Sequence, residues 1–214
     1  MAKWNYGDAY LRFPIDIGKE ISFENGSILM VHDIFDGLPE HMKKADVIFC
    51  DPPWNMGNIK SFYTKAGNEF PDIECFCEFY KKIFECVGDI APNICYLEIG
   101  KEFLADFIIE MRKIYKYVTL YNSTYYHKRE NICYIVQGSK KRKNWHYDWM
   151  DEEDIISNVA KNEEYEYIGD FCMGRGLVAV SATKNGRKFV GTELNPKRLA
   201  VCVERLHKIG LEAK

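Results

Sequence analysis

The sequence predicts an α/β protein built around a mixed, mostly parallel sheet. Short apolar runs rich in β-branched and aromatic residues recur along the 214 residues and predict strands. Segments with apolar residues at helical spacing lie between most of these runs, which is typical of α/β folds. Two strand-like runs at 117–126 and 131–137 are joined by only four residues, a hairpin length that predicts an antiparallel pair.

The predicted elements follow in order along the chain. Residues 1–24 are expected to form an irregular arm, and 25–214 a single domain. The predicted strands are residues 27–31, 45–50, 93–99, 117–126, 131–137, 165–171 and 188–192. The predicted helices are residues 72–87, 102–115, 151–160, a segment ending near 184, and 195–209. Residues 55–71 are long and rich in Gly and Asn for a connection, so we expect a binding loop or lid.

Composition and charge exclude several classes of protein. The chain is 47% hydrophobic and 29% charged, as in a soluble globular protein. A net charge of −3 argues against a protein whose main activity is non-specific binding of nucleic acid. No apolar run is long enough to span a membrane, and the first residues do not resemble a signal peptide. A cytoplasmic location is therefore expected.

The eight cysteines are scattered through apolar segments, at positions 50, 75, 77, 86, 95, 133, 172 and 202. Because no signal peptide is recognised, we expect free thiols in a reducing compartment and no disulfide framework. Cys75 and Cys77 form a C-x-C pair, which lacks the spacing that is usual for zinc ligands. No metal site is predicted.

The first candidate site is Asp51-Pro52-Pro53-Trp54, which follows the buried strand at 45–50. In open α/β sheets, ligands bind at the carboxyl ends of the strands. A carboxylate, a proline carbonyl and a flat indole at that place suit a planar ring that carries an –NH2 group. An ordinary turn with a surface Asp and a packed Trp explains the same four residues equally well.

The second candidate site is the loop Asp170-Phe171-Cys172-Met173-Gly174-Arg175-Gly176, with Glu193 at the end of the next strand. Glycines allow close backbone approach, and an acid after the second strand can pair with ribose hydroxyls. Asp170 would repel a pyrophosphate but attract an amino group. S-adenosylmethionine, which has no phosphate, fits this loop, although a plain strand–turn–helix remains the alternative.

Together, D-x-x-x-G-x-G, the segment NGRKFVGTELNPKR and DPPW closely resemble the motifs of the amino-methyltransferases that modify exocyclic amines of nucleic-acid bases. The resemblance spans about residues 25–206. The catalytic motif precedes the cofactor loop, as in the permuted β-type arrangement. The resemblance implies a Rossmann-like, mostly parallel seven-stranded sheet with an antiparallel hairpin, and S-adenosylmethionine as the cofactor.

The resemblance also implies a role for each matching residue. Asp51 and the Pro52 carbonyl would bind the target amine, Pro53 completes the catalytic motif, and Trp54 would stack on the extruded base. Residues 170–176 would line the methionine part of the cofactor, Glu193 the ribose and Asp33 the adenine amine. The residues expected to bind the cofactor are Asp33, Asp51, Asp170, Phe171, Cys172, Met173, Gly174, Gly176, Glu193 and Asn195.

In this family, D-P-P-aromatic is usual for adenine amines and S-P-P-aromatic for cytosine amines, so we expect a DNA adenine-N6 methyltransferase. The alternatives are cytosine-N4 or RNA adenine methylation, or a non-catalytic nucleic-acid-binding subunit of a methyltransferase complex. Only residues 138–164 remain where the family normally has a target-recognition domain. A short recognition sequence, or specificity supplied by a homodimer or partner subunit, is therefore expected.

A basic and aromatic segment could bind the nucleic acid. Positive charge next to aromatic rings is typical of surfaces that bind single strands, although charge runs are often only solvated. The candidate residues are Lys128 and Arg129 on the hairpin turn, which could join the patch, with Lys140, Lys141, Arg142, Lys143 and Trp145.

Overall fold

The computed structural model describes residues 6–144 and 146–214, and within them one nine-stranded sheet lies between two layers of helices. The strand order is β1-β2-β9-β8-β3-β4-β6-β5-β7. The strands are β1 Glu20–Ser22, β2 Ile28–Val31, β3 Val47–Cys50, β4 Ile94–Ile99, β5 Tyr117–Tyr125, β6 Lys128–Ser139, β7 Met150–Asp151, β8 Tyr167–Asp170 and β9 Lys188–Glu193.

Seven α-helices and three short 3-10 helices accompany the sheet in the described part of the chain. The α-helices are α1 Ala9–Arg12, α2 Met56–Ala66, α3 Phe76–Ile90, α4 Leu104–Ile114, α5 Glu152–Asn162, α6 Leu177–Lys184 and α7 Pro196–Lys208. The 3-10 helices are Ile34–Asp36, Glu40–Lys44 and Lys101–Phe103. No helix among residues 6–144 and 146–214 combines the length and apolar character needed to cross a membrane.

The sheet is mixed and mostly parallel, as predicted. The run β2-β9-β8-β3-β4 is parallel throughout, and β6 pairs antiparallel with both β4 and β5. The pairing of β5 with β6 confirms the predicted hairpin. The predicted number of strands, seven, was wrong, because β1 and β7 are two additional edge strands. With three and two residues, these strands are too short to show the alternation that reveals a strand in sequence.

The segment 55–71 was predicted as a loop, and this prediction was wrong. Most of it is helix α2, Met56–Ala66. The Asn55 side chain caps its start by accepting a hydrogen bond from the Asn58 backbone over 2.9 Å, and Gly67 ends it in the left-handed conformation. Asn before a helix is a regular start signal and Gly after it a regular stop signal, so the residues that suggested a loop are the helix caps.

The core lies on both faces of the sheet. In β3, Val47 and Phe49 join the cluster under α5, α6 and α7, while Ile48 and Cys50 join the cluster under α2, α3 and α4. This alternation follows from the two-residue period of a strand. Because both faces are covered, β3 is continuously apolar, and its first polar side chain, Asp51, comes where the strand ends.

The segment 138–164, expected as a remnant of a recognition domain, is part of the main α/β fold. It supplies the end of β6, strand β7 and helix α5, whose Ile155 and Val159 are completely buried. Tyr147 is also buried, while Trp149 is exposed. The N-terminal arm, expected over residues 1–24, also contributes to the sheet, since Glu20–Ser22 forms β1 and pairs with β2.

The expectation of eight free cysteines was wrong for one pair. Cys75 and Cys77, at the start of α3, are joined by a disulfide. The other six are free thiols, and five of them are buried. The two cysteines of the C-x-C pair are therefore bonded to each other at the start of α3.

Candidate active site

Five neighbouring parallel strands each carry an acid at or just after the carboxyl end of the strand, and these ends lie along the same side of the sheet. The register places Val31 beside Glu193, Asp170 beside Gly191 and Cys50 beside Leu97, so the acids follow one another across the sheet. In spatial order they are Asp33, Glu193, Asp170, Asp51 and Glu98. The carboxyl ends of parallel strands are where open α/β sheets bind ligands.

A cavity of about 510 Å³ opens at this edge. This volume lies within the ~300–1,000 Å³ that is usual for small-molecule sites. Asp51, Pro52, Pro53 and Trp54 all line it. Of the expected cofactor residues, it is lined by Asp33, Asp51, Asp170, Phe171, Cys172, Met173, Gly174 and Glu193. The two motifs, more than a hundred residues apart in sequence, thus share one cavity.

The Trp54 ring is held by three neighbours. Its indole Nε1 donates a hydrogen bond to Asp51 Oδ1 over 3.0 Å. Tyr125 packs edge-on against it at 5.4 Å between ring centroids. A Cβ added to Gly100 would lie 3.0 Å from Trp54 Cε3, so the absence of a side chain there makes room for the ring. These contacts fix the position of the Trp54 ring, and through the hydrogen bond they also fix the Asp51 carboxylate.

Asp51 faces the cavity with part of its surface open to solvent. Protein atoms surround the carboxyl group on its other sides, and this desolvation raises its pKa to about 6. The hydrogen bond from Trp54 and the charge of Arg198 act in the opposite direction and keep the pKa from rising further. Asp51 can therefore hold or release a proton near neutral pH.

Asp170 ends β8 and is buried at the cavity wall. Burial raises its pKa to about 7, and the hydrogen bond that its Oδ1 accepts from the Cys172 backbone over 2.9 Å opposes the rise. No cation is an ion-pair partner of Asp170 within the described residues. A bound ammonium group would supply one.

Glu193 ties the glycine loop to the next strand. Its Oε2 accepts a hydrogen bond from the Gly174 backbone over 2.6 Å, and its Oε1 accepts one from the Asn195 backbone over 2.9 Å. Each carboxylate oxygen has a second lone pair, so the side chain can still accept from a ligand hydroxyl. Glu193 thus shapes the loop as well as lining the cavity.

Two of the expected cofactor residues do not line the cavity. Gly176 has φ +79°, and a Cβ there would lie 2.1 Å from Cys202 Sγ, so this glycine lets α6 pack closely on α7. Asn195 is the N-cap of α7, where its Oδ1 accepts from Lys197 over 2.9 Å. Their place in the fold explains these residue types without a ligand.

Asp33 lies on the cavity wall opposite helix α2. The Tyr63 hydroxyl reaches both of its carboxylate oxygens, at 2.6 and 2.7 Å. Burial and the Asp33 charge raise the pKa of Tyr63, so the phenol stays protonated and donates. Helix α2, which was predicted as a loop, thus fixes the acid expected to bind the cofactor's adenine amine.

The structure adds two acids that the sequence did not single out. Glu98 in β4 and Glu152 at the start of α5 line the cavity, and one carboxylate oxygen from each of them and one from Asp51 all lie within 4.8 Å of one another. Glu98 is 0% exposed, and neither of its oxygens accepts a hydrogen bond from a cation or a backbone N–H. A charged residue inside the apolar run NICYLEI was a signal that could have revealed it.

Burial is the main cause of unusual protonation in this cluster. It raises the pKa of Glu152 to about 7, and it raises that of Glu98 further, with the charges of Asp51 and Glu152 adding to the rise. Carboxylates this close need a shared proton or a cation between them. We call Asp51, Glu98 and Glu152 the acidic triad.

Further cavity residues come from helix α2, in the segment that was expected to be a binding loop or lid, and from the hairpin. Helix α2 contributes Phe62, which lies 5.0 Å from the guanidinium of Arg198 on α7. The hairpin contributes Tyr125 and the exposed Tyr126, whose rings are 5.2 Å apart. Aromatic rings therefore run from Trp54 outward to the surface.

The predicted basic patch is divided between opposite edges of the sheet. Lys128 and Arg129 begin β6 at the cavity edge, whereas Lys140 follows Ser139, which pairs with the first residue of β4. Because β6 has 12 residues at ~3.3 Å each, its ends lie roughly 36 Å apart. Lys128 and Arg129, which the sequence left free to join the patch, therefore lie away from Lys140–Lys143.

Two lysines of the segment 140–143 are also bound to other parts of the protein. Lys140 donates to the Ala91 carbonyl, and Lys143 forms a 2.6 Å ion pair with the buried Glu163. Lys141 and Arg142 are exposed, and Trp145 lies outside the described residues. None of the candidate basic residues lines the cavity.

The fold is similar to that of solved methyltransferases. A putative DNA modification methylase from Thermus thermophilus, solved with S-adenosylmethionine, is 15% identical, with 84% of this chain and 93% of that one covered and a TM-score of 0.61. The M1.HpyAVI–SAM complex is 14% identical, over 83% and 98% of the two chains, with a TM-score of 0.57.

A third structure is the cytosine-N4-specific PvuII DNA methyltransferase. It is 11% identical, over 89% of this chain and 90% of that one, with a TM-score of 0.62. No family model and no curated protein matches the sequence. The similarity to these three structures is therefore one of fold, extending over most of each chain.

Proposed function

We propose that this protein is an S-adenosylmethionine-dependent DNA methyltransferase that acts on the exocyclic N6 amine of adenine. One observation carries the proposal. The acid of the DPPW motif and the acid of the glycine loop lie on neighbouring strands and open onto the same cavity. That arrangement is what a transfer between a bound cofactor and a base amine requires.

The cavity suits S-adenosylmethionine in its polar groups. Asp170 is a buried carboxylate placed to receive the cofactor's ammonium group. Glu193 suits the ribose hydroxyls, and Asp33 suits the adenine amine. Two of the structures with the same fold were solved with this cofactor. When bound, S-adenosylmethionine supplies an electrophilic methyl group on a sulfonium.

The catalytic motif activates the amine. A base amine is a poor nucleophile because its lone pair is delocalised into the ring. Asp51 and the Pro52 carbonyl accept its two N–H bonds, and this favours tetrahedral nitrogen with a free lone pair. Placing that lone pair in line with the methyl group supplies much of the rate, and the carboxylate stabilises the developing positive charge.

The base has to leave the helical stack before it can reach Asp51. Trp54 and Tyr125 offer faces and edges at the cavity mouth, and Tyr126 lies beyond them at the surface. Such rings hold flipped or single-stranded bases by stacking, worth about 1–3 kcal/mol per base. The hairpin therefore completes the binding site for the target nucleotide.

Cytosine-N4 is the second candidate substrate. The PvuII enzyme, named as cytosine-N4-specific, shares the fold at a TM-score of 0.62. Both amines are attached to a ring beside a ring nitrogen, so the same Asp51 and Pro52 acceptors suit either one. The Asp at the first motif position favours adenine.

The test is to identify the labelled nucleoside. Purified protein is incubated with methyl-labelled S-adenosylmethionine and unmodified DNA, single- and double-stranded, with RNA in parallel. Asp51→Ala removes the acceptor, and Asp89→Ala, at an exposed position of α3 outside the cavity, is the matched control. We expect N6-methyladenine from DNA with the wild type and Asp89→Ala, and none with Asp51→Ala.

Each outcome has a distinct meaning. Label in N4-methylcytosine would replace adenine by the second candidate, and label only in RNA would replace DNA. Cofactor binding without transfer to any polymer would favour a non-catalytic subunit or a missing partner. Absence of cofactor binding would contradict the entire proposal.

A further inference from the structure

We propose that the acidic triad takes up the proton that the target amine loses on methylation, with Glu152 accepting it through Asp51 and Glu98 helping the two to share it. The inference rests on the proposed methyl transfer and deepens it. Asp51 contacts the amine, whereas Glu98 and Glu152 are positioning residues that act through Asp51.

The reaction creates a proton that must leave a confined site. The nitrogen lone pair forms the new N–C bond as the C–S bond breaks and its electron pair stays on sulfur. The methylated nitrogen then carries a positive charge, and one N–H proton moves to Asp51 while its electron pair returns to nitrogen. Asp51 must pass on that proton before another amine binds.

The geometry supplies a next acceptor. Oxygens of Asp51, Glu98 and Glu152 lie within 4.8 Å of one another, so small side-chain movements bring them into hydrogen-bond contact. Asp51 follows β3, and Glu98 lies beside it on the neighbouring strand β4. Glu152, at the start of α5, is half-buried and so offers this pair a second contact with solvent besides that of Asp51.

Glu98 is the strongest sign that the triad holds a proton. The side chain is completely buried and lines the cavity, and its polar neighbours are the Glu152 carboxyl group and the Cys133 thiol instead of a cation or a backbone N–H. A buried carboxylate with no cation or N–H partner is too costly to remain charged, so Glu98 is neutral at rest. A neutral carboxyl can donate toward an ionised neighbour and help to share a proton arriving at Asp51.

The surroundings contain few groups that could take this role. Cys133 and Tyr125 face the triad from the hairpin, and both have raised pKa values, so they stay protonated near neutral pH. The other titratable or charged groups nearby are Asp151 at the end of β7, Glu153 on α5, Asp170 on β8 and Arg198 on α7. Glu152, with a pKa of about 7, is matched to accept and release a proton.

The test is the pH profile of single-turnover methyl transfer to mixed-sequence DNA in wild type, Glu98→Gln and Glu152→Gln. Transfer is expected to fall as pH drops through the range near 6–7, because a fully protonated triad cannot accept a proton. Each Gln variant is expected to lower the plateau rate about tenfold, a small part of what general base catalysis supplies. In Glu152→Gln, the loss of a negative neighbour is also expected to shift the midpoint to lower pH, whereas Glu98→Gln, which replaces a neutral carboxyl group, is expected to leave the midpoint in place.

The control is Asp154→Asn, which removes a charge from the first turn of α5 outside the cavity and is expected to leave rate and midpoint unchanged. A lower rate with an unshifted midpoint in Glu152→Gln would assign Glu152 a structural role and overturn the inference. Transfer that requires added Mg²⁺ and loses this requirement in the Gln variants would overturn it in favour of a metal site.

A second measurement separates the inference from the proposed function. Carbon-13 NMR of labelled carboxyl groups in the free protein is expected to show Glu98 and Glu152 titrating above the usual range for glutamate. Ordinary titration of both would overturn the inference even if transfer is observed. Raised titration with no transfer by the wild type would instead refute the proposed function, and the proton-accepting role with it.

Discussion

The indole of Trp54 donates to Oδ1 of Asp51 over 3.0 Å, so the aromatic residue of the DPPW motif orients the acid of the same motif. Gly100 and Tyr125 hold the ring in that position. The hydrogen bond also favours the ionised carboxylate, against the burial that disfavours it. Trp54 therefore has a second task besides offering a surface to a base.

The first prediction separates these two tasks with Trp54→Phe. Phenylalanine keeps an aromatic face but cannot donate to Asp51. Because hydrogen bonds to charged groups contribute ~1.5–3 kcal/mol, we expect kcat/KM for DNA to fall roughly tenfold or more and the pKa of Asp51 to rise. The acid limb of the pH–rate profile should therefore move to higher pH.

Trp149→Phe is the matched control, since Trp149 is exposed and does not line the cavity. It is expected to leave both rate and pH profile unchanged. If Trp54→Phe retained full activity with an unshifted profile, the indole hydrogen bond would have no catalytic importance.

The second prediction concerns the pH dependence of cofactor binding. The pKa of Asp170 is raised to about 7 in the free protein, and a bound ammonium group favours the ionised form. A protonated Asp170 cannot pair with a cation, so binding should strengthen as pH rises through 7. We expect the affinity for S-adenosylmethionine, measured by calorimetry, to be about tenfold lower at pH 6 than at pH 8.

Asp170→Asn should bind the cofactor weakly at every pH and lose this dependence. Asp89→Asn, on the exposed face of α3, should behave as the wild type does. An unchanged pH dependence in Asp170→Asn would assign the titration to another group.

The third prediction tests the packing role of Gly176. An added Cβ would lie 2.1 Å from Cys202 Sγ, at a backbone φ of +79°. Overpacking costs ~1–3 kcal/mol and the left-handed conformation ~1–2 kcal/mol, so Gly176→Ala should lower the free energy of unfolding by about 2–4 kcal/mol. Urea denaturation measures the change.

Gly186→Ala is its control, because Gly186 has φ +67° but open space around it. Only the conformational cost of ~1–2 kcal/mol is expected there. Adding Cys202→Ala to Gly176→Ala should recover part of the lost stability. Equal destabilisation by the two glycine variants would show that α6 and α7 do not need this close contact.

Sequence reasoning located the strands best where burial makes them distinctive. Residues 47–50 form a continuous apolar run because both faces of β3 are covered, and the prediction of 45–50 gave the end of the strand correctly and its start two residues early. The hairpin was found because its turn is short. By contrast, β7 has two residues, and its pairing with β5 depends on tertiary contacts that no local pattern records.

The candidate site was predicted to the extent that it lies in contiguous motifs. Asp51 and Asp170 head recognisable segments, and the structure brings both to the cavity. Glu98 and Glu152 are single acids in different elements, and they meet only because β4 lies beside β3 and α5 packs over that edge. Proximity of this kind is a property of the fold and cannot be read from spacing.

The last prediction follows from the division of the basic residues between two edges of the sheet. Lys128 and Arg129 are exposed at the cavity edge, whereas Lys141 and Arg142 lie near the opposite end of β6. A nucleic acid whose base enters the cavity passes its phosphates near the first pair. Replacing both residues of that pair by Gln should weaken DNA binding and reduce the salt dependence by roughly one unit of slope per residue.

The same double replacement at Lys141 and Arg142 removes an equal charge and is the matched control. Fluorescence anisotropy across a range of salt concentrations compares the two variants directly. Equal losses would mean that only net charge matters, and a larger loss at Lys141 and Arg142 would place the nucleic acid across the opposite edge. Because the overall charge of −3 provides no general attraction for a polyanion, binding has to depend on local cations, and the pair beside the cavity is the one that a flipped base would bring into reach.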